Sequence, residues 1–250
     1  MEKSYSGREH LSRYPSGSVM CVEGVHYMQY IIYDLEFTVS RNARYSSEII
    51  DIGAVKVIQG DDGLFVADTF HSFVRPSNRP VISTDTVQFT GITQRDIDAA
   101  PLFPEAVKQF IAWLGTDSPY YLCAWGPDDR QKLVSHCRTH HVDLGWIHNT
   151  NDIQKQISRL FSSNGKYRQL SLSQALELCN IDFDGQQHRA LDDAVNTAQV
   201  FMYHFDRLTL VHNAADDEES RGSKLVYSSP EEEQEQYSPF GNLANLFKDR

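Results

Sequence analysis

A chain of 250 residues that is 40% hydrophobic and 11% aromatic, with those residues spread from Tyr27 to Leu210, can bury a sizeable core and is excluded from the disordered class. Its formal net charge of −11 argues against broad electrostatic capture of a polyanion, because nonspecific nucleic-acid binding draws on a positive surface. Cys21, Cys123, Cys137 and Cys179 form no CxxC pair, which argues against a disulfide framework or a four-cysteine zinc site, and no long uncharged apolar run suggests a membrane span or signal sequence. A soluble protein of the reducing cytoplasm is expected.

Residues 1 to 27 lack periodicity and carry Gly7, Pro15, Ser16 and Gly17, so they read as a flexible extension ahead of a domain over 28–210. Three β-branched runs follow, "YIIYDLEF", "EIIDIGAVKVI" and "FVADTFHSFVRP", short connections between them predicting an antiparallel meander. "FPEAVKQFIAWLG" then predicts a helix, with Pro104 in its first turn, Val107, Phe110, Ile111 and Leu114 on one face, and Gly115 as its stop. "YYLCAWG" reads as a short buried strand, "DDRQKLVSHCRTHH" as a helix and "LGWIHN" as a weaker strand. Helical stretches around Ile153 to Phe161 and Leu172 to Cys179 precede the clearest helix, "RALDDAVNTAQVFMYHFDRL", whose stripe is Leu191, Ala194, Val195, Ala198, Phe201, Met202 and Phe205. The order predicts an α/β domain on a mixed sheet. From residue 211 the composition turns acidic and polar, an expected disordered tail in which Leu243, Leu246 and Phe247 fall at helical spacing, so the segment from Phe240 to Phe247 is a candidate for docking a protein partner.

The acids of "YIIYDLEFT" are the anomaly of the first strand. Asp34 and Glu36 are two apart, so they share a face with Ile32, while Ile31, Tyr33 and Leu35 take the other. Buried together, two carboxylates repel and resist desolvation unless cations or protons compensate. Taken alone the pair reads as one acid capping a neighbouring helix and the other lying at a solvated strand end. Two further acidic pairs change its meaning: Asp128 and Asp129 in "AWGPDD", one of which is expected to cap the following helix, and Asp192 and Asp193 in "HRALDD" after His188. Asp193 lies at the margin of the apolar stripe and can point toward the strand tips, whereas Asp192 reads as a surface acid. Converging carboxylates suit magnesium or manganese, a two-metal site can activate water and neutralise a phosphoryl group, and a histidine titrating near neutrality can take the proton. "SHCRTHH", with His136, Cys137, His140 and His141, lacks the second ligand pair of a structural zinc site and reads as helix surface. No GxxxxGK[ST] or GxSxG motif is present, so ATPase and serine-hydrolase readings lack their central residues.

Together "YDLEFT", "AWGPDD" and "HRALDDAVNTA", with "TGITQRDID" between the first two, resemble the motifs of the DEDDh 3'-to-5' exonucleases, most closely the branch of KapD-like bacterial proteins and histone-mRNA and small-RNA trimming exoribonucleases. The resemblance covers roughly residues 29 to 205. It implies a ribonuclease H-like fold, a mixed five-stranded sheet flanked by helices, with Asp34, Glu36, Asp129 and Asp193 as ligands of two divalent cations, magnesium or manganese, and His188 as general base. The family's spacing selects Asp193 over Asp192 and Asp129 over Asp128, although Pro127 and Asp128 depart from the aromatic-acid pair of its second motif. It further implies hydrolysis of the terminal phosphodiester at a free 3' end, with release of nucleoside 5'-monophosphates and single-stranded RNA favoured as partner over DNA. Phe37, Thr38 and Arg189 are placed to contact the terminal nucleotide, and Arg41, Arg44, Lys166 and Arg168 are candidate phosphate contacts. A non-catalytic binding or regulatory module on the same fold is the competing reading.

Overall fold

The computed structural model describes residues 27–39, 47–115, 118–162 and 167–215. Expectations for the N-terminal extension, for the acidic tail with its Phe240 to Phe247 segment, and for Arg41, Arg44 and Lys166 lie outside the described residues.

The β-branched runs form β1 (Gln29–Phe37), β2 (Ile49–Gly60) and β3 (Gly63–Phe73). Two short helices, α1 (Thr84–Thr90) and α2 (Gln94–Asp98), precede α3 (Phe103–Leu114), β4 (Tyr120–Ala124) and α4 (Asp128–Thr139). The chain continues through β5 (Thr150–Asp152), α5 (Ile153–Leu160), α6 (Leu172–Leu178) and α7 (Ala190–His204), closing in a 3-10 turn at Phe205–Arg207. The five strands lie in the order β3-β2-β1-β4-β5; β1 pairs antiparallel with β2 and parallel with β4, so the sheet is mixed and β1 sits at its centre.

Strand alternation divides the core as expected. Ile31, Tyr33 and Leu35 pack with Phe103, Phe110 and Leu114 of α3 and Leu133 of α4. Ile32, Val55 and Val57 face the other side, against Ile157, Leu176, Ala194 and Phe201 from α5, α6 and α7. A smaller cluster of Ile50, Ile82, Ile92 and Ile97 seats α1 and α2.

Three expectations need correction. "LGWIHN" is not a strand: Trp146 and Ile147 are buried in the core as loop residues, and the fifth strand is the polar Thr150–Asp152. Its partners are side-chain amides as much as backbone, for Asn213 Oδ1 accepts from both the Thr150 N–H and hydroxyl, at 3.0 and 2.9 Å, so no apolar pattern marks it. The same contacts carry the body past Leu210 to Ala215, which is itself buried. Finally, neither Asp128 nor Asp129 caps α4; the cap residue is Pro127, which offers no side-chain bond, and Asp129 is turned toward β1 instead.

Candidate active site

All four expected carboxylates arrive at the C-terminal end of β1. Asp34 is half-buried and Glu36 buried on one face of the strand, and that face is the one covered by α7. Asp129, in the first turn of α4, is buried and accepts the Leu35 N–H at 3.2 Å, so its carboxylate is held against the strand between the two acids. Asp193, in the first turn of α7, accepts the His188 N–H at 2.8 Å. Ligand atoms of Glu36, His188 and Asp193 all lie within 4.8 Å of one another. The carboxyl ends of parallel strands are a common place for ligands in open α/β sheets, and the acids lie at that end of β1.

Electrostatics identify what the cluster can hold. Burial, then Asp129, Asp193 and Glu36, push the Asp34 carboxyl well above the usual range, and burial with Asp193 and Asp51 does the same to Glu36. Asp129 and Asp193 are pushed up to about 7, mainly by burial, against the opposing pull of the N–H groups they accept. Mutually repelling oxygen donors enclosed in one place fit hard divalent cations, which would restore all four to their ionised form.

His188 sits on a loop with positive φ, 64°, a conformation that costs a non-glycine residue free energy and must be held. Several bonds do so. Asn196, fully buried on α7, donates to the carbonyls of Asp184 and Asp192, both at 2.7 Å, and accepts the Asp184 N–H at 3.0 Å. Asp192 is no idle surface acid, since it accepts the Gln186 N–H at 2.9 Å. Phe89 of α1 lies against the imidazole of His188 with ring centroids 4.1 Å apart, and burial lowers that imidazole's pKa.

The remaining candidates are less concentrated. Phe37 packs at the border of the α3 and α4 core, with the Lys132 ammonium 5.9 Å from its ring centre. The Thr38 hydroxyl accepts the Glu48 N–H at 2.9 Å, tying the end of β1 to the residue just before β2. Arg189 is half-buried at the cap of α7, its guanidinium 5.4 Å from the centre of Phe73, while Arg168 is exposed. In "SHCRTHH" the expected helix surface is corrected in part: the His136 Nε2 accepts the Ile49 N–H at 3.1 Å and Cys137 is buried in the core, so these two residues seat α4 against the sheet.

Several residues at the site had no motif to announce them: Asp51, His71, Phe89 and Asn196. One signal was available, because Asp51 interrupts the apolar run "EIIDIGAVKVI" as Asp34 interrupts its own strand. His71 Nε2 lies 2.8 Å from Asp51 Oδ1, and this carboxylate raises the pKa of the imidazole.

The family model for exonucleases, RNase_T, matches residues 31–201, which takes in all four carboxylates at the β1 tip. The chain belongs to the exonuclease family. Mouse 3'-5' exoribonuclease 1 is 32% identical over 191 residues, covering 71% of this chain and 53% of that protein. The probable 3'-5' exonuclease KapD of Bacillus subtilis is 28% identical over 176 residues, covering 68% and 82%. Among solved structures, the nuclease domain of 3'hExo, a DEDDh family member bound to rAMP, superposes with a TM-score of 0.62 at 25% identity, covering 76% of this chain and 98% of that one. A full-length 3'-exonuclease gives 0.65 at 27% identity, covering 76% and 64%. The chain spans about half the length of the mouse and rat exoribonucleases it matches. The expected family, DEDDh exonucleases on a ribonuclease H-like fold, is thereby established.

Proposed function

We propose that this protein is a 3'-to-5' exonuclease that hydrolyses the terminal phosphodiester of single-stranded RNA and releases nucleoside 5'-monophosphates. The observation that carries the reading is the meeting of Glu36, His188 and Asp193 within 4.8 Å at the tip of β1, beside Asp34 and Asp129. Asp34, Glu36, Asp129 and Asp193 would hold two divalent cations, magnesium with manganese able to substitute, whose charge activates the attacking water and neutralises the phosphoryl group. His188 accepts the proton of that water; its neutral form, favoured by burial, is the competent one. Asp193 fixes the base's own backbone, so the proton acceptor and the carboxylates are registered to one another. Arg189, half-buried at the cap of α7, is the cation beside the acids best placed to meet a phosphate, and Phe37 and Thr38 border the strand tip where a terminal nucleotide would lie.

RNA is favoured over DNA by relatives named exoribonucleases and by the rAMP bound to 3'hExo. A cytoplasmic location belongs to the same proposal and is supported by Cys123, Cys137 and Cys179, all buried and free. No helix among the described residues is long and apolar enough to cross a membrane. The test uses the full chain with a 5'-labelled single-stranded RNA and a DNA of matched sequence in magnesium, manganese or EDTA. Metal-dependent shortening from the 3' end, lost in Asp34→Ala and His188→Ala, is expected; binding without degradation under every condition sinks the proposal in favour of a non-catalytic module. Faster degradation of the DNA reassigns the substrate.

A further inference from the structure

Asp51 is fully buried in the middle of an otherwise apolar stretch of β2. An ionised carboxylate in such a place costs several kcal/mol unless partners compensate. Two groups face it: His71 Nε2 stands 2.8 Å from Oδ1, within ion-pair distance for the protonated imidazole, and Oδ2 accepts a long bond from the Ala190 N–H at 3.4 Å. Ala190 is the first residue of α7, and the helix's own cap residue, Arg189, makes no side-chain capping bond. The orphan N–H of a first turn needs an acceptor and welcomes negative charge. Asp51 meets both needs from a neighbouring strand.

Gly53, two residues further along the same face of β2, completes the junction. A Cβ there would stand 2.1 Å from the Leu191 nitrogen and 2.2 Å from the Ala190 carbonyl carbon. Strand β2 therefore meets the first turn of α7 through a bond and a notch. On the helix side of this junction His188 lies two residues before Ala190 and Asp193 three after it. On the strand side Asp51 is the register partner of Glu36. One carboxylate outside the four-acid motif thus links the half of the site carried by α7 to the half carried by β1.

We propose that Asp51 and His71 form a positioning pair for the exonuclease site. Asp51 fixes the first turn of α7 against the sheet, His71 fixes Asp51, and the placement of Asp193 and His188 relative to Glu36 depends on both. Neither residue acts on the substrate. The inference rests on the exonuclease reading, and its test separates the two.

In the full chain, Mn2+ binding is measured by calorimetry without RNA, and kcat and KM on labelled RNA at saturating Mn2+, well below each variant's unfolding midpoint. Asp51→Ala is expected to weaken Mn2+ binding and to lower kcat by about 10- to 100-fold each, the usual cost of losing a group that orients metal ligands, with KM for RNA within about twofold. His71→Leu should reproduce part of this loss, and His71→Gln, which can still donate to Asp51, should recover most of it. A folded Asp51→Ala protein with wild-type Mn2+ affinity and kcat, or one in which only the unfolding midpoint falls, overturns the proposal; equal losses in His71→Gln and His71→Leu remove His71 from it. Should Asp51→Ala not fold, the isosteric Asp51→Asn decides, with weakened Mn2+ binding supporting the pair and wild-type affinity overturning it. If wild-type protein binds Mn2+ but degrades no nucleic acid, the exonuclease reading fails while the calorimetric comparison still judges the pair.

Discussion

The imidazole of His188 has two constraints on it that act differently. Its backbone is fixed by the bond to Asp193 and its ring is covered on one side by Phe89, although the residue as a whole is exposed. The cover matters for protonation, since removing water from one face disfavours the charged form and keeps the base neutral to lower pH. Phe89→Ala should therefore raise the pKa of His188 toward the ordinary imidazole value of about 6.5, moving the acid limb of the kcat profile to higher pH while leaving the plateau within about tenfold. A limb that stays in place or moves down would show that Phe89 does not tune the base. His188 itself was legible, because a histidine five residues before an acid follows a family pattern; Phe89 was not, because an aromatic in a short polar helix reads as surface or core with equal ease.

Helix α7 is the element on which catalysis and folding meet, and its fit to the sheet is set by one missing side chain. The Gly53 notch receives backbone atoms of Ala190 and Leu191, which have no flexible end that could yield. Gly53→Ala must push the helix away or bend β2, an overpacking cost of roughly 1–3 kcal/mol that should lower the unfolding midpoint by about 2–12 °C in a domain of this size. Because Asp193 and His188 travel with the helix, kcat should fall by at least about tenfold even where the protein stays folded, the sensitivity expected of a misplaced catalytic group. Circular dichroism melts and single-turnover assays on the same preparations check both, and an unchanged kcat in a destabilised variant would argue that the site tolerates helix displacement. Periodicity revealed α7 and α3 because each buries one patterned face, and the meander showed as continuous β-branched runs because β1 and β2 are buried on both faces. It missed α1 and α2, which are short and capped by Ser83 and Thr93 rather than marked by an apolar stripe. It also placed a strand on Leu144–Asn149, where apolar residues plug the core from a loop, because burial and extended conformation leave the same trace in a sequence.

For the molecule as a whole, the formal charge of −11 does not convey where its functional acids lie, since Glu36 and Asp129, buried, and Asp34 and Asp193, half-buried, are gathered at one strand tip. Without cations this cluster works against folding. Asp34, Glu36, Asp129 and Asp193 all have folded-state pKa values above the ordinary value of about 4, so between about pH 4 and 7 the folded chain binds more protons than the unfolded one. Stability must then fall as pH rises through that window, with Asp129 and Asp193 contributing their share by the time pH passes about 7 and Asp34 and Glu36, raised well above the usual range, acting in the same direction. His71, whose pKa is raised by Asp51, adds to the same slope; His136, His188 and His204, lowered by burial, oppose it, chiefly below about pH 6.5. The comparison is cleanest above that value. In EDTA the unfolding midpoint should be higher at about pH 6.5 than at about pH 8, an inversion of the behaviour of proteins whose carboxylates are paired. Mn2+ at about 100 times its dissociation constant should add about 2.7 kcal/mol at pH 8, and proportionally less at pH 6.5 where protons compete for the same oxygens. Differential scanning calorimetry across the four conditions decides it, because a midpoint that is flat or rising with pH in EDTA, or a Mn2+ stabilisation larger at the lower pH, would mean that these four acids do not form one cation-requiring cluster.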